Sequence, residues 1–563
     1  MRISGRTFIT FIVLAILMGL NNIYSTLLTG WGDGGSIVAV ILCVIFLKRK
    51  DSTILTYNLG QTIASAGGSV GFTTAMLAAV YVINPEWNPP LLKLGILVMS
   101  LSTLGVILAI PLKPYVVKWF FPSGVACATI LKSVTAEDPT EEKRARKIMG
   151  ISGILAALLT FPTKVSFTKG GAALWSKLSI SKGIGLSLDP LLYGIGIVIG
   201  PRIGISMIIA SLATAFLLIP ELASAGLESQ IGDYVKWIAI GLMTVPAFTS
   251  IFFSFHFKTE RKLPKMFTPR EEAHADRLTP LDWRLISIGG GVALVLSCWL
   301  TWDIFGVNPL LTIGCLLLGG IICVMLGKVA SETDINAVRL GAIIILFVFS
   351  LMVSYGAVSL LGLAIVGAAI ASIAVDLFYD LRTGYLVGAN PRHQIGMQFL
   401  GVIVVSLVTV FFLHTLAVNF GFGEGKYFPA PGAIVWSKMA SAVASKGASI
   451  SAGVWWALGI SSFVGVILSF LENHPKTKAW TPSAFAMGIA MLLGFDMSAA
   501  IFLGGLMRFF PVWWAKRQGE EMKERINGAA FMAGSAIFAA AALTGIIAVI
   551  LITLGIVHLP TGH

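Results

Sequence analysis

The chain alternates long apolar runs with short charged punctuation, and this pattern decides what it can fold into. Runs such as Thr7 to Gly32, Leu340 to Val375 and Phe531 to Val557 are apolar on every helical face. A helix needs about 20 apolar residues to cross a bilayer. The runs lack the alternation of strands, so each segment must satisfy its backbone hydrogen bonds within itself, as a helix does. Only 12% of the 563 residues are charged, against roughly a quarter in a soluble globular chain. That is too little polar surface for a soluble fold of this length. The expected fold is an all-α polytopic membrane protein.

Charge then sets orientation. The net charge of +13 is concentrated in Lys48-Arg49-Lys50, Lys143 to Lys147, Lys258 to Arg284 and Lys516 to Arg525. Basic loops stay on the cytoplasmic side of a cell membrane, and Arg2 and Arg6 place the N-terminus there. Contact with anionic lipid headgroups accounts for such loops, so nucleic-acid binding is not implied. The first apolar run is longer than a signal-peptide core and lacks an A-x-A site, so it reads as the first membrane helix. The five Cys lie in apolar stretches without C-x-x-C spacing, as buried reduced side chains do.

The chain also reads as two similar halves, 1–257 and 285–563, joined by a basic cytoplasmic linker, 258–284. Gly171-Ala172-Ala173-Leu174-Trp175-Ser176-Lys177 is echoed by Gly432-Ala433-Ile434-Val435-Trp436-Ser437-Lys438. Pro190, Gly196, Ser206 and Pro220 recur in order as Pro482, Gly488, Ser498 and Pro511. If half one begins and ends inside, it crosses an even number of times, and the halves should be parallel. Two stretches resist simple crossings. Tyr115 to Ala136 lies between basic segments and centres on Phe121-Pro122-Ser123-Gly124, which suggests a re-entrant hairpin turning at Gly124. Thr53 to Ile83 contains Ala66-Gly67-Gly68-Ser69-Val70-Gly71, which suggests a broken helix. Irregular backbone at membrane depth survives only where protein buries it or where it lines a wet cavity.

These segments carry a resemblance. Gln61-Thr62-Ile63-Ala64-Ser65-Ala66-Gly67-Gly68-Ser69, Phe121-Pro122-Ser123-Gly124-Val125-Ala126 and Asp380-Leu381-Arg382-Thr383-Gly384-Tyr385-Leu386 resemble motifs of the oligopeptide transporter family, which includes the yellow-stripe-like metal-chelate carriers. Ile199-Gly200-Pro201-Arg202, Ala430-Pro431-Gly432-Ala433 and Thr481-Pro482-Ser483 are similar to further motifs, in family order. The N-P-G and K-I-P-P-R motifs of the yeast and plant peptide-carrier branch are missing, which suits a compact prokaryotic-type member. The resemblance implies about 16 membrane segments and proton-coupled import of short peptides, glutathione-like compounds or metal–chelate complexes.

Candidate site residues follow from polarity at membrane depth. Gln61, Thr62, Ser65, Ser69 and Ser123 either contact substrate or hydrogen-bond neighbouring helices. Thr383 and Tyr385 join them through the D-L-R-T-G-Y-L segment. Asp376 and Asp380 are four apart and share a helix face, where they either carry a proton or cap a segment at the water line. Arg202 either neutralises a substrate carboxylate or forms a structural ion pair. Gly196, Gly200 and Gly204 read as one packing face. Lys177 and Lys438 suit interfacial anchoring, and His414 suits packing. Gly67-Gly68-Ser69-Val70-Gly71 matches G-x-S-x-G, but no strand precedes it and no His–acid set accompanies it. No metal site and no cofactor are expected. A channel would need rings of like residues, and the halves differ at their polar positions. The function expected is therefore a proton-coupled symporter, with a metal–chelate carrier as the alternative and a homodimer left open.

Overall fold

The computed structural model describes residues 4–30, 36–47, 53–119, 121–135, 139–168, 177–181, 184–256, 278–333, 338–446, 450–474, 476–477 and 480–558. Most of the expected linker, Lys48 to Lys50, and Gly171 to Ser176 lie outside them.

The chain opens with α1 (Gly5–Thr29), α2 (Ser36–Phe46), α3 (Ile54–Ala75), α4 (Ala78–Ile83) and α5 (Leu91–Ala109). A short α6 (Lys113–Val116), α7 (Pro122–Val134) and α8 (Pro139–Lys164) follow. A β-hairpin of β1 (Lys177–Ser181) and β2 (Ile184–Ser187) leads into α9 (Pro190–Ile199), α10 (Pro201–Ala213), α11 (Ile219–Ser224) and α12 (Ile231–His256). The second half holds α13 (Pro280–Phe305), α14 (Pro309–Thr333), α15 (Val338–Met352), α16 (Ala357–Val387) and α17 (Pro391–Phe420). It ends with α18 (Pro431–Ala444), α19 (Ala452–Asn473), α20 (Ala484–Leu493), α21 (Phe495–Lys516) and α22 (Glu520–Thr553). Twelve described helices are long and apolar enough to cross a membrane, and five shorter apolar helices accompany them. The hairpin is the one sheet among the described residues.

The distribution of polarity is that of a protein dissolved in lipid. Leu310, Leu351 and Trp456 are 76%, 78% and 75% exposed. Gln61, Asp376, Asp380, Gln394 and Gln398 are fully buried. Apolar surface outside and carboxylates inside would be ruinous in water and is favourable in a bilayer.

Two pairs of segments share unusual shapes. The ten-residue helix α9 stops at Gly200 (φ +84°) before α10, and the ten-residue α20 stops at Gly494 (φ +82°) before α21. Both α7 and α18 start at a proline behind a non-glycine residue in the left-handed region, Phe121 (φ +43°) and Ala430 (φ +45°). The counterparts run in opposite directions. Gly204 of α10 faces Phe502 of α21, and Gly505 faces Pro201. The parallel relation inferred from charge therefore does not hold. Helix α13 is the first described helix after the linker region. It begins at Pro280, inside the stretch read as linker, where Thr279 and Asp282 form a capping box.

Four further expectations change. The stretch Thr53 to Ile83 is a broken helix as expected, but the break lies at Met76-Leu77 between α3 and α4, not at the glycines of 67–71, through which α3 is continuous to Ala75. A Cβ on Gly67 or Gly71 would overlap the carbonyl oxygen of Ala15 or Gly19 of α1, so these glycines let two backbones touch. The hairpin turns at Phe121 rather than Gly124, where a Cβ would come within 3.0 Å of the Tyr379 carbonyl. Gly196, Gly200 and Gly204 share no single helix, because Gly200 is the break. Lys177 opens a strand while Lys438 sits in α18 and pairs with Asp233 at 2.8 Å, so the two are not equivalent.

The half-helix α9 is held at both ends by charge. Asp189 caps its N-terminus by accepting from Leu191 N–H, and Lys164 pairs with the same carboxylate at 2.5 Å. At the other end, the Arg508 guanidinium donates to the carbonyls of Ile197 and Val198, acceptors that a helix end leaves free. Lys164 and Asp189 are 4% and 5% exposed. Removing one member of such a pair costs about 3–5 kcal/mol, because the other charge stays buried alone. Lys164→Met is therefore expected to lower thermal stability in detergent sharply. Adding Asp189→Asn, which keeps the cap acceptor, should recover much of that loss.

Candidate functional site

The site forms where α3, α16 and α17 meet under α2. Helix α16 spans 31 residues, from Gly356 to a left-handed Gly388 that caps it. Almost every side chain between Leu360 and Gly384 is buried, so α16 is the central column of the fold. On such a helix, residues four apart share a face, which puts Ser372, Asp376 and Asp380 in one stripe. Gln61, Ser65 and Ser69 form the matching stripe on the antiparallel α3.

Hydrogen bonds join the stripes. Gln61 Nε2 donates to Asp380 Oδ1, and Asn58 Nδ2 donates to Gln61 Oε1 at 3.2 Å. Ser65 Oγ donates to Asp376 Oδ1 at 2.8 Å. Ser36 of α2 lies 2.9 Å from Ser65 Oγ and donates to Asp380 Oδ1 at 3.4 Å. From α17, Gln398 Nε2 donates to Asp376 Oδ2 at 2.9 Å, and Gln394 Nε2 donates to the Asp380 carbonyl at 2.7 Å. The two carboxylates are thus linked through two hydroxyls: Asp376, Ser65, Ser36, Asp380. Each hydroxyl has one hydrogen to donate and can also accept, so the chain closes when one acid carries a proton, and that proton can then pass to the other acid.

Neither acid lies at a water line, since both are fully buried in mid-helix. Among the described residues, the partners of the Asp380 carboxylate are Gln61 and Ser36, both neutral. A second buried negative charge without a cation is expensive. Binding a proton or another cation removes that cost, which is the chemistry a coupling site needs. Among the described residues no three His, Cys, Asp or Glu side chains cluster as a metal site.

The remaining candidates are placed as follows. Thr62 and Ser69 are fully buried on α3, and their hydroxyls make no hydrogen bond among the described residues. Thr383 Oγ1 bonds the carbonyls of Gly124 and Tyr379, tying α16 to α7. Arg382 donates to the Val117 carbonyl and lies over the Tyr385 ring at 5.7 Å. Ser123 is half-buried at the start of α7. Ser123, Arg382 and Thr383 thus gather where α7 meets the C-terminal end of α16. Arg202 does not join them. It pairs with Glu472 at 2.7 Å and donates to the Thr481 carbonyl, which makes it a structural link between α10 and α19. His414 bonds Tyr81 Oη at 2.9 Å, as a packing residue would.

Sequence reading missed Ser36, Asn58, Gln394 and Gln398. Gln394 and Gln398 did leave a signal, two amides four apart in an apolar helix, the spacing that marked the acid pair. The Gln394 amide also needs Gly384, where a Cβ would overlap it. Gly384→Ala is expected to displace Gln394 from the Asp380 carbonyl and to lower transport several-fold with little loss of expression, read by uptake per folded molecule.

Comparison with known proteins agrees with this architecture. Residues 3–552 match the family described as OPT oligopeptide transporter protein. A Haemophilus influenzae protein named for oligopeptide transport is 26% identical over 545 residues, covering 86% of this chain and 85% of that protein. The rice protein YSL9, named for metal–nicotianamine transport, is 29% identical over 187 residues, 32% of this chain and 27% of that protein. Metal-nicotianamine transporter YSL2 of Arabidopsis thaliana is 28% identical over 149 residues, 26% of this chain and 22% of that protein.

Proposed function

Because this chain belongs to the OPT oligopeptide transporter family, we propose that it is a proton-coupled symporter of short oligopeptides or peptide-like compounds. The observation that carries the coupling is the buried chain Asp376, Ser65, Ser36, Asp380. A proton entering this pair neutralises a charge that the low-dielectric interior penalises, so loading and the change of access become linked. Substrate binds beside the pair, among Gln61, Thr62, Ser65, Ser69, Ser123, Thr383 and Tyr385. The two halves act as inverted repeats, and alternating access moves one set of helices against the other. The glycine breaks of α9–α10 and α20–α21 supply the hinges. The protein lies in the cell membrane with its N-terminus and basic loops in the cytoplasm, and it catalyses no covalent chemistry.

A metal–chelate complex is the second reading, favoured by the plant relatives named for metal–nicotianamine transport. Uptake into proteoliposomes separates the two. Vesicles under an inward proton gradient are offered di- to hexapeptides, glutathione or iron chelates, with and without a protonophore. Protonophore-sensitive accumulation of peptides supports the first reading, and of chelates alone the second. Uptake of one class that ignores the protonophore would remove proton coupling.

A further inference from the structure

An amide side chain carries donors at one end and an acceptor at the other, so its effect on a carboxylate depends on which end faces it. Gln61 turns its N–H₂ to Asp380 Oδ1. A donor there favours the ionised carboxylate, whereas the amide oxygen would favour the protonated acid. The choice is made at the far end of the Gln61 amide. Asn58, three residues earlier on α3, donates from Nδ2 to Gln61 Oε1 at 3.2 Å. Asn58 is fully buried, and its Oδ1 accepts no hydrogen bond among the described residues.

These contacts fix the polarity of both amides. If Asn58 alone turned over, its oxygen would meet the oxygen of Gln61. If Gln61 alone turned over, N–H₂ would face N–H₂ on one side and oxygen would face the carboxylate on the other. If both turned over, they would match each other, but Gln61 Oε1 would still stand against Asp380 Oδ1. With Asp380 ionised, the arrangement seen is the one that sets a donor against an acceptor at every contact. Other neighbours do not take over this role. Ser36 reaches Asp380 Oδ1 only at 3.4 Å, and Gln394 donates to the backbone carbonyl of Asp380 rather than to its carboxylate. The ionisable neighbour whose charge acts on Asp380 is Asp376. On the elements around it, Arg382 is turned to the Val117 carbonyl, Arg392 to Asp282 and Lys328 to the Trp119 ring. Cys43 of α2, Tyr57 of α3, Lys132 of α7 and His393 of α17 do not bond its carboxylate, whose partners among the described residues are Gln61 and Ser36.

We propose that Asn58 is a positioning residue for the coupling proton: by holding Gln61 with its N–H₂ toward Asp380, it weakens the hold of that acid on a proton. The inference rests on the reading of the acid pair as the coupling site. It adds to that reading a residue that bonds neither acid and yet shifts the pH at which Asp380 takes its proton.

The test follows the acid itself, by infrared difference spectroscopy of the purified full chain in detergent as pH is varied. A protonated carboxyl absorbs apart from a carboxylate, and the part of its band that Asp380→Asn removes reports this site. In Asn58→Leu that part should titrate about half a pH unit higher than in the unsubstituted protein, and in Gln61→Leu, which loses the donor altogether, about one unit higher. The sign follows from the loss of support for the ionised form, which lets the acid keep its proton to higher pH. Asn58→Ala takes the place of Asn58→Leu if the larger side chain prevents folding. Leu59→Ala is the control, a buried change on the same helix that leaves both amides in place, and its midpoint should not move. An unmoved midpoint in the Asn58 variant, or an equal rise in Leu59→Ala, overturns the inference and leaves the coupling reading intact. If Asp380→Asn removes no part of the band, Asp380 takes no proton and the inference falls. If Asp376→Asn removes none either, the coupling reading falls with it.

Discussion

Replacing Asp376 by Asn is expected to leave a folded carrier that no longer concentrates its substrate. Asn keeps the shape of the side chain and one acceptor oxygen for Ser65. Gln398, which donates to the other carboxylate oxygen, has a free amide oxygen and can turn over to receive the new N–H₂. Stability should therefore change little, while one of the two acids that share the proton is gone. A gradient of one pH unit is worth about 1.4 kcal/mol per proton, or about tenfold accumulation when one proton is coupled. The unsubstituted protein should approach that ratio in sealed vesicles, and Asp376→Asn should stop near equal concentrations. Exchange of labelled for unlabelled substrate across the membrane, which needs no net proton movement, should survive. Loss of exchange together with accumulation would place Asp376 in substrate binding instead.

The largest effect on stability is expected at Gly71. A Cβ there would overlap the Gly19 carbonyl oxygen of α1, so the obstacle to any side chain is backbone, which cannot rotate away. Overpacking a core with extra methylenes costs about 1–3 kcal/mol where side chains can adjust. Gly71→Leu instead forces α1 off α3. It would break the bond from Asn22 Nδ2 to the Gly68 carbonyl (2.8 Å) and disturb the stripe that carries Gln61 and Ser65. The expected loss is at least about 4 kcal/mol, the range reserved for severe core damage. It should be seen as aggregation or loss of a sharp elution peak in detergent. Gly396→Leu is the control, since nothing lies within 4 Å of a Cβ there, and its effect should stay within about 0.5 kcal/mol.

The helices were legible because a run of apolar residues long enough to span a bilayer has few other fates. Asp376, Asp380, Gln61 and Ser65 were legible for the same reason: a polar group inside such a run must be paired. The partners were not. Ser36 and Asp380 stand 344 positions apart in the chain, and a lone serine after a glycine-rich stretch of sequence carries no periodic signal. Arg202 illustrates the reverse error. A single charge in an apolar run looks like a binding group until Glu472, 270 positions later, is found beside it. Turns were misplaced because glycine was taken to mark them. In this fold Phe121 and Ala430 adopt the left-handed conformation, while Gly67 and Gly71 stay helical and serve contact.

Coupling through the buried acid pair is tested most directly by counting protons. Vesicles loaded with a pH indicator are given a transported substrate without an imposed gradient, and internal pH and substrate uptake are recorded together. The unsubstituted protein should acidify the lumen in fixed proportion to substrate entering, and the combined Asp376→Asn and Asp380→Asn protein should show no substrate-dependent acidification. Substrate entry without acidification in the unsubstituted protein, or undiminished acidification in the double variant, would contradict the account.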